Sequence, residues 1–186
     1  MKKTKQAIIF GTGSLAELAS FYLENDSSYS VEGFCKTSPE SDTFCSKPLC
    51  NFEEIEEKFP PDEYEFFVAI GYRKMNELRK EFCEKAKSKG YKLLSYISSK
   101  ATYWDKANKI GENVFIFEDN TIQPFVEIGD GTILWSGNHI GHHSKIGAYC
   151  FIASHAVISG HCDIGDQCFL GVNATLIDEI TLGEKV

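Results

Sequence analysis

From Ile110 to Val186 the chain reads, in blocks of six, IGENVF-IFEDNT-IQPFVE-IGDGTI-LWSGNH-IGHHSK-IGAYCF-IASHAV-ISGHCD-IGDQCF-LGVNAT-LIDEIT-LGEKV. Every block opens on Ile or Leu, from Ile110 through Ile140 to Leu182, without a slip. The second residue of a block is often small (Gly111, Gly129, Gly141, Gly147, Ala153, Ser159, Gly165, Gly171, Gly183). The fifth is mostly small or medium: Val114, Val126, Thr132, Ser144, Cys150, Ala156, Cys162, Cys168, Ala174. A period of six is too long for a helix face and too regular for a loop, so it reads as a repeat. Each hexad supplies one wall of a three-sided coil. The aliphatic fills the interior, and stacked coils bury what one repeat cannot bury alone. The expectation is a left-handed parallel β-helix in which residues 18 apart lie one above another. His143 should then stack on His161, and Cys150 on Cys168. An imperfect lead-in, Ser98 to Lys109, is expected to form a first coil.

Outward from this repeat, residues 1–97 alternate between strand and helix. Ala7-Ile8-Ile9-Phe10 suits a buried strand. Helical spacing of Leu15, Leu18, Ala19, Tyr22 and Leu23 follows, up to Asn25. Residues 29–35 read as a second strand and the Ser/Pro/Asp-rich stretch 36–50 as loop. Asn51 caps a short helix that stops at Pro60-Pro61. Phe66 to Ile70 is a strand, Asn76 to Lys89 a helix closed by Gly90, and residues 91–97 another strand. The expected fold class is α/β plus β: a small Rossmann-like N-terminal domain, residues 1–97, followed by the β-helix, residues 98–186.

Composition narrows the function classes. The chain has 186 residues and a formal net charge of −8, with no dense basic run, which argues against nucleic-acid or anionic-membrane partners. The apolar stretch after Met1-Lys2-Lys3 is too short for a signal peptide, and no stretch approaches the roughly 20 residues of a membrane span, so a cytoplasmic protein is expected. The seven cysteines (Cys35, Cys45, Cys50, Cys83, Cys150, Cys162, Cys168) are odd in number and lack a CxxC pair. They read as free thiols, and no metal site is expected.

All five histidines (His139, His142, His143, His155, His161) fall in the repeat. A β-helix interior has no use for imidazole, so they should face outward or line a cleft; His155 and His161 read as surface residues on turns. An outward imidazole can act as a general base near neutral pH, as acyl transfer from a thioester to an amine or hydroxyl requires. Gly-rich corners could offer backbone N–H groups to the oxyanion. Gly11-Thr12-Gly13-Ser14-Leu15-Ala16, between a strand and a helix, fits a phosphate-holding glycine loop and equally a structural glycine turn. Cys35-Lys36 stands where a ribose-binding acid would end the second strand, which counts against an NAD dehydrogenase.

Taken together, Ile8-Ile9-Phe10-Gly11-Thr12-Gly13, Val68-Ala69-Ile70-Gly71 with Arg79 following, and Ile140-Gly141-His142-His143-Ser144-Lys145-Ile146-Gly147 resemble the sugar O- and N-acyltransferases of the left-handed β-helix type. That family includes sialic acid O-acetyltransferases and N-acetyltransferases of UDP- or GDP-linked 4-amino-4,6-dideoxy sugars. The resemblance implies an acetyl-CoA-dependent transferase, assembled as a homotrimer, with His142 as base and His143 beside it. It implies that Phe151 and Gly160 lie near the acetyl-CoA thioester. Gly11, Gly13, Gly71 and Arg79 match the region that holds the nucleotide-linked sugar, and Lys36, Asn138 and His139 join them as candidate substrate contacts. Relatives often carry Glu or Asp directly after the catalytic histidine, where this chain has His143, and acids after the second strand, where it has Lys36. Relatives also continue for another coil or more, so the natural chain is expected to extend past Val186. Three functions follow: N-acetylation of a nucleotide-linked amino sugar in surface-polysaccharide (O-antigen) synthesis, O-acetylation of sialic acid or a related sugar, and a non-catalytic sugar-nucleotide-binding or scaffold role.

Overall fold

The computed structural model describes residues 2–186, which divide into two compact units. The first comprises the chain through Gly71 together with Glu81–Leu94; the second comprises Tyr72–Lys80 and Ser95–Val186.

In the first unit the apolar run Lys5–Phe10 forms β1, buried from Ala7 onward. Ser14–Asp26 is α1, Tyr29–Lys36 is β2, Thr43–Phe44 is β3, Lys47–Asn51 is β4 and Glu65–Val68 is β5. Four strands run parallel in the order β4-β2-β1-β5, with β3 added antiparallel at the β4 edge. In this order β1 lies between β2 and β5, so the chain reverses direction across the sheet between β1 and β5. That is the switch point at which open α/β sheets bind ligands. Asn51 accepts the Glu53 N–H and starts a 3-10 turn, Phe52–Glu54, which leads into α2, Ile55–Lys58. Phe10, Phe52 and Phe82 pack face and edge in the core, with ring centroids 4.1–5.6 Å apart.

Two readings of the sequence are corrected here. Residues 36–50 are not all loop: β3 and β4 form a hairpin on the open edge of β2. Lys-Pro-Leu-Cys-Asn has no alternating pattern to announce a strand. The free backbone of β2 recruits it, and Pro48 lies opposite Thr43 of the two-residue β3 that ends the sheet. Residues 91–97 are not one strand. Phe66 donates its N–H to the Lys92 carbonyl and Leu94 donates its own to Phe66, whereas Tyr96–Ile97 pairs with Phe115–Ile116 of the β-helix.

The second unit is a left-handed parallel β-helix with three walls. One stacks Lys109–Ile110, Glu127–Ile128, Lys145–Ile146, Asp163–Ile164 and Thr181–Leu182. The next stacks Tyr96–Ile97, Phe115–Ile116, Ile133–Leu134, Phe151–Ile152 and Phe169–Leu170. The third stacks Thr121–Ile122, His139–Ile140, Val157–Ile158 and Thr175–Leu176. Within the hexads the register is 18 residues throughout. The lead-in slips by one, with Tyr96 opposite Phe115. Ile116, Ile122, Ile140, Ile152 and Ile158 are fully buried, each removing its side chain from water for about 1.5–3 kcal/mol.

The fifth-position residues also point inward, and their chemistry is used. Asn108, Thr132, Asn138 and Ser144 each accept, through a side-chain oxygen, the backbone N–H one coil on: Val126, Cys150, Ala156 and Cys162, at 2.8–3.1 Å. The fourth position turns the corner in a left-handed backbone (φ +54 at Asn113, +58 at His143, +56 at His161, +59 at Lys185). Gly131 and Gly137 stand at two such corners, where a Cβ would fall 2.3 Å from the Tyr149 ring and 2.5 Å from the His155 ring. A ring of the next coil covers each glycine, the buried Tyr149 over Gly131 and the exposed His155 over Gly137.

Candidate active site

The hexad Ile140-Gly141-His142-His143-Ser144-Lys145 turns a corner of the prism. Ile140 and Ser144 point inward, so His142 and His143 project outward, and both are exposed. The backbone N–H of His142 is held by Gln123 Oε1 at 2.9 Å. Nδ1 of His142 lies 3.1 Å from Nδ1 of His143, with ring planes at 85°. His143 in turn stacks on His161, one coil on, with centroids 4.9 Å apart and planes 12° apart, as the 18-residue spacing predicts. On its other side Phe125 packs against His143 at 4.7 Å. His142 meets His161 edge to face at 5.1 Å. The corner thus carries a column Phe125–His143–His161 with His142 set against it.

Gly160 makes room for His142. A Cβ at Gly160 would stand 2.9 Å from His142 Cε1 and 3.2 Å from Nε2. Gly160 is therefore part of the seat of His142, and its N–H is taken by Asp178 Oδ1 at 2.9 Å. The expectation that glycine corners leave N–H groups free is corrected in the same way at Gly141 and Gly147. Each donates to the carbonyl one coil on (Ile158 and Ile164, both at 2.7 Å), because close stacking of coils consumes the ladder.

The other residues singled out in the repeat fall elsewhere. Phe151 is buried in a different wall from His139, packed against Trp135, Phe169 and Tyr72, the last at 5.0 Å. His139 is half-buried in the strand that precedes the corner. Asn138 lies inside the prism, its amide donating to the Trp135 carbonyl and accepting from Ala156, so it faces the core and not a ligand. Arg79 also has a different task from the one expected. Its guanidinium is fully buried and donates to the carbonyls of Gly131 (2.6 Å), Tyr149 (3.0 Å) and Cys150 (2.9 Å), and to Asn76 Oδ1 (3.0 Å). Asn76 donates onward to the carbonyls of Gln167 and Cys168. Segment Tyr72–Lys80 is thereby strapped to the β-helix. Cys150 and Cys162 are buried, and burial pushes the Cys150 thiol up to about 12, which makes it a poor nucleophile.

In the first unit, Gly11 and Gly13 follow β1, Gly71 follows β5, and Lys36 ends β2. The sheet order brings all four to the carboxyl edge around the switch point. Gly11 adopts φ +121 with its Cβ position 3.0 Å from the Ala69 carbonyl, so only glycine fits there. Gly13 is the N-cap of α1 and is exposed. A cavity of about 880 Å³ lies at the opposite, amino edge of the strands, lined by Lys3, Lys5, Glu32, Glu65 and Lys92 among others. Size is a weaker guide here than the strand direction, which favours the glycine edge.

Repeat, prism and outward histidines define a hexapeptide-repeat β-helix. The family described as bacterial transferase hexapeptide (six repeats) matches residues 109–142. No curated protein sequence matches the chain. Among solved structures, the chain is similar to the acetyltransferase domain of PglB from Neisseria gonorrhoeae, also solved with acetyl coenzyme A. The TM-score is 0.84 at 20% identity, over 97% of this chain and 86% of that one. It is similar to PerB from Caulobacter crescentus, solved with CoA and GDP-perosamine, at TM-score 0.83 and 24% identity over 97% and 84% of the two chains. It is also similar to WeeI from Acinetobacter baumannii, at 0.75 and 16% over 97% and 90%. Among the described residues no helix is long and apolar enough to cross a membrane.

Proposed function

We propose that the protein is an acetyl-CoA-dependent N-acetyltransferase acting on a nucleotide-linked amino sugar, with His142 as general base. One observation carries this reading: His142 is exposed at a β-helix corner, seated over Gly160, with its Nδ1 3.1 Å from a second ring nitrogen. When His143 Nδ1 accepts from the Nδ1–H of His142, the tautomer of His142 is fixed with its Nε2 lone pair free. His143 then fills the orienting role that a carboxylate often has beside a catalytic histidine. Nε2 takes a proton from the acceptor amine as the amine nitrogen attacks the thioester carbonyl carbon. As the carbon–sulfur bond breaks, the same nitrogen returns the proton to the departing sulfur, giving an amide and free CoA. No covalent enzyme intermediate is needed, in keeping with buried thiols of raised pKa.

Gly11, Gly13, Gly71 and Lys36 supply the phosphate contacts of the sugar nucleotide, since their edge combines a helix N-terminus, a close-approach glycine and a cation. The likeness to PerB, solved with GDP-perosamine, favours a GDP-linked amino sugar as the first substrate to try. The working form is a homotrimer, which the flat walls and exposed Phe125 and Val157 favour. Seven free cysteines fit a cytoplasmic setting.

The test is thiol release from acetyl-CoA with a panel of GDP-, UDP- and dTDP-linked amino sugars. Release with at least one is expected, with an alkali-stable acetyl group on the product and loss of the rate in His142→Ala. No release from any of them, or an undiminished His142→Ala, refutes the proposal.

A further inference from the structure

We infer that His142, His143 and His161 form a binding site for a divalent transition-metal ion of the zinc, nickel or copper kind. Each offers one ring nitrogen, and the three lie within 4.8 Å of one another. The closest pair, the two Nδ1 atoms at 3.1 Å, already approaches the separation of two ligands on one tetrahedral ion. With Zn–N bonds of ~2.0–2.1 Å that edge is ~3.3 Å. The third nitrogen lies within 4.8 Å of the other two, and all three side chains are exposed, so a modest change of side-chain torsion would bring it to the ion.

The backbone beneath them is fixed. His143 and His161 sit at successive left-handed corners (φ +58 and +56), and the N–H of His161 donates to the carbonyl of His142 at 3.0 Å. Stacking on Phe125 holds the His143 ring from behind. A site whose ligand positions are set by the scaffold loses little freedom on binding metal. The donor set selects the class of ion: three neutral imidazoles suit zinc, nickel and copper, whereas calcium and magnesium require oxygen ligands. The fourth position faces solvent and is open to water or an added ligand.

Metal binding stands independently of the acetyl-transfer reading. Its consequence, that the ion occupies the nitrogens of the base and its neighbour, rests on that reading. The experiment therefore measures binding alone. The protein in a Cys45→Ser background, which removes the one exposed thiol, is titrated with Zn²⁺ by calorimetry and with Co²⁺ by visible absorption. One ion per chain is expected, with the Co²⁺ bands of a low-symmetry nitrogen site. His161→Asn, chosen because Asn tolerates the left-handed corner, should weaken binding by at least about tenfold. His155→Asn, at an equivalent corner outside the cluster, should not. Absence of binding at micromolar metal, or equal affinity in His161→Asn and the parent, overturns the site. Activity of the metal-free protein has no bearing on either outcome.

Discussion

Replacing Gly160 by alanine separates the seat of His142 from the stability of the prism. The added methyl would stand 2.9 Å from His142 Cε1 and 3.2 Å from Nε2. Ordinary carbon contacts begin near ~3.5 Å, so those atoms must retreat by roughly 0.3–0.6 Å. The next neighbour, Asp178 Oδ1 at 3.4 Å, needs almost no adjustment. Gly160 does not have a left-handed backbone, so alanine costs nothing in φ. The His142 ring is exposed and can swing outward at about 0.5–1.5 kcal/mol of rotamer strain. Stability should therefore fall by no more than about 1.5 kcal/mol, a melting shift of at most about 6 °C for a chain of this size. The chemistry should suffer far more. The swing breaks the Nδ1–Nδ1 contact and moves Nε2 by a sizeable fraction of an ångström, and misplacement of that order costs about ten- to a hundredfold in rate. The assay is initial thiol release against a thermal melt of the same sample. A Gly160→Ala enzyme with parental kcat and an unchanged melt would show that the position of His142 over Gly160 does not matter.

Arg79→Met removes the donors to the Gly131, Tyr149 and Cys150 carbonyls while filling much of the volume, and should cost about 2–4 kcal/mol in urea unfolding; an unchanged midpoint would contradict the strap. Gly131→Ala places a methyl 2.3 Å from the Tyr149 ring at φ +66, so a loss of about 2–3 kcal/mol is expected with the His142 corner intact, read as a lowered melt without a change in kcat. A thiol reagent on the native protein should modify exposed Cys45 quickly and half-buried Cys50 slowly. Cys150, buried and pushed up to about 12, should stay unmodified until unfolding, and fast labelling of more than two thiols would disprove that burial. Zn²⁺ near one equivalent should suppress thiol release and EDTA should restore it, whereas full activity with the metal bound would remove His142 from the chemistry.

How much was legible depends on what each feature is made of. The β-helix follows from the sequence alone, because its coil length is a covalent distance. Ile or Leu at every sixth residue fixes three walls, the 18-residue register and the stacking of His143 on His161. The glycine edge of the first unit was legible for a similar reason, since Gly11 and Gly71 each directly follow an apolar run of the sequence. Tertiary structure decided the rest. The hairpin of β3 and β4 exists because the edge of β2 lacked a partner, which no local pattern records. Arg79, a charged residue on a helix, reads as exposed until the carbonyls of Gly131, Tyr149 and Cys150 are seen around it. Asn138 reads as a polar contact until its phase puts it inside, holding the Ala156 amide. His161 reads as one more surface imidazole. Its stacking on His143 follows from the spacing, but the approach of the His142 ring to it depends on ring orientation at a left-handed corner, a matter of side-chain packing that spacing along the chain does not contain.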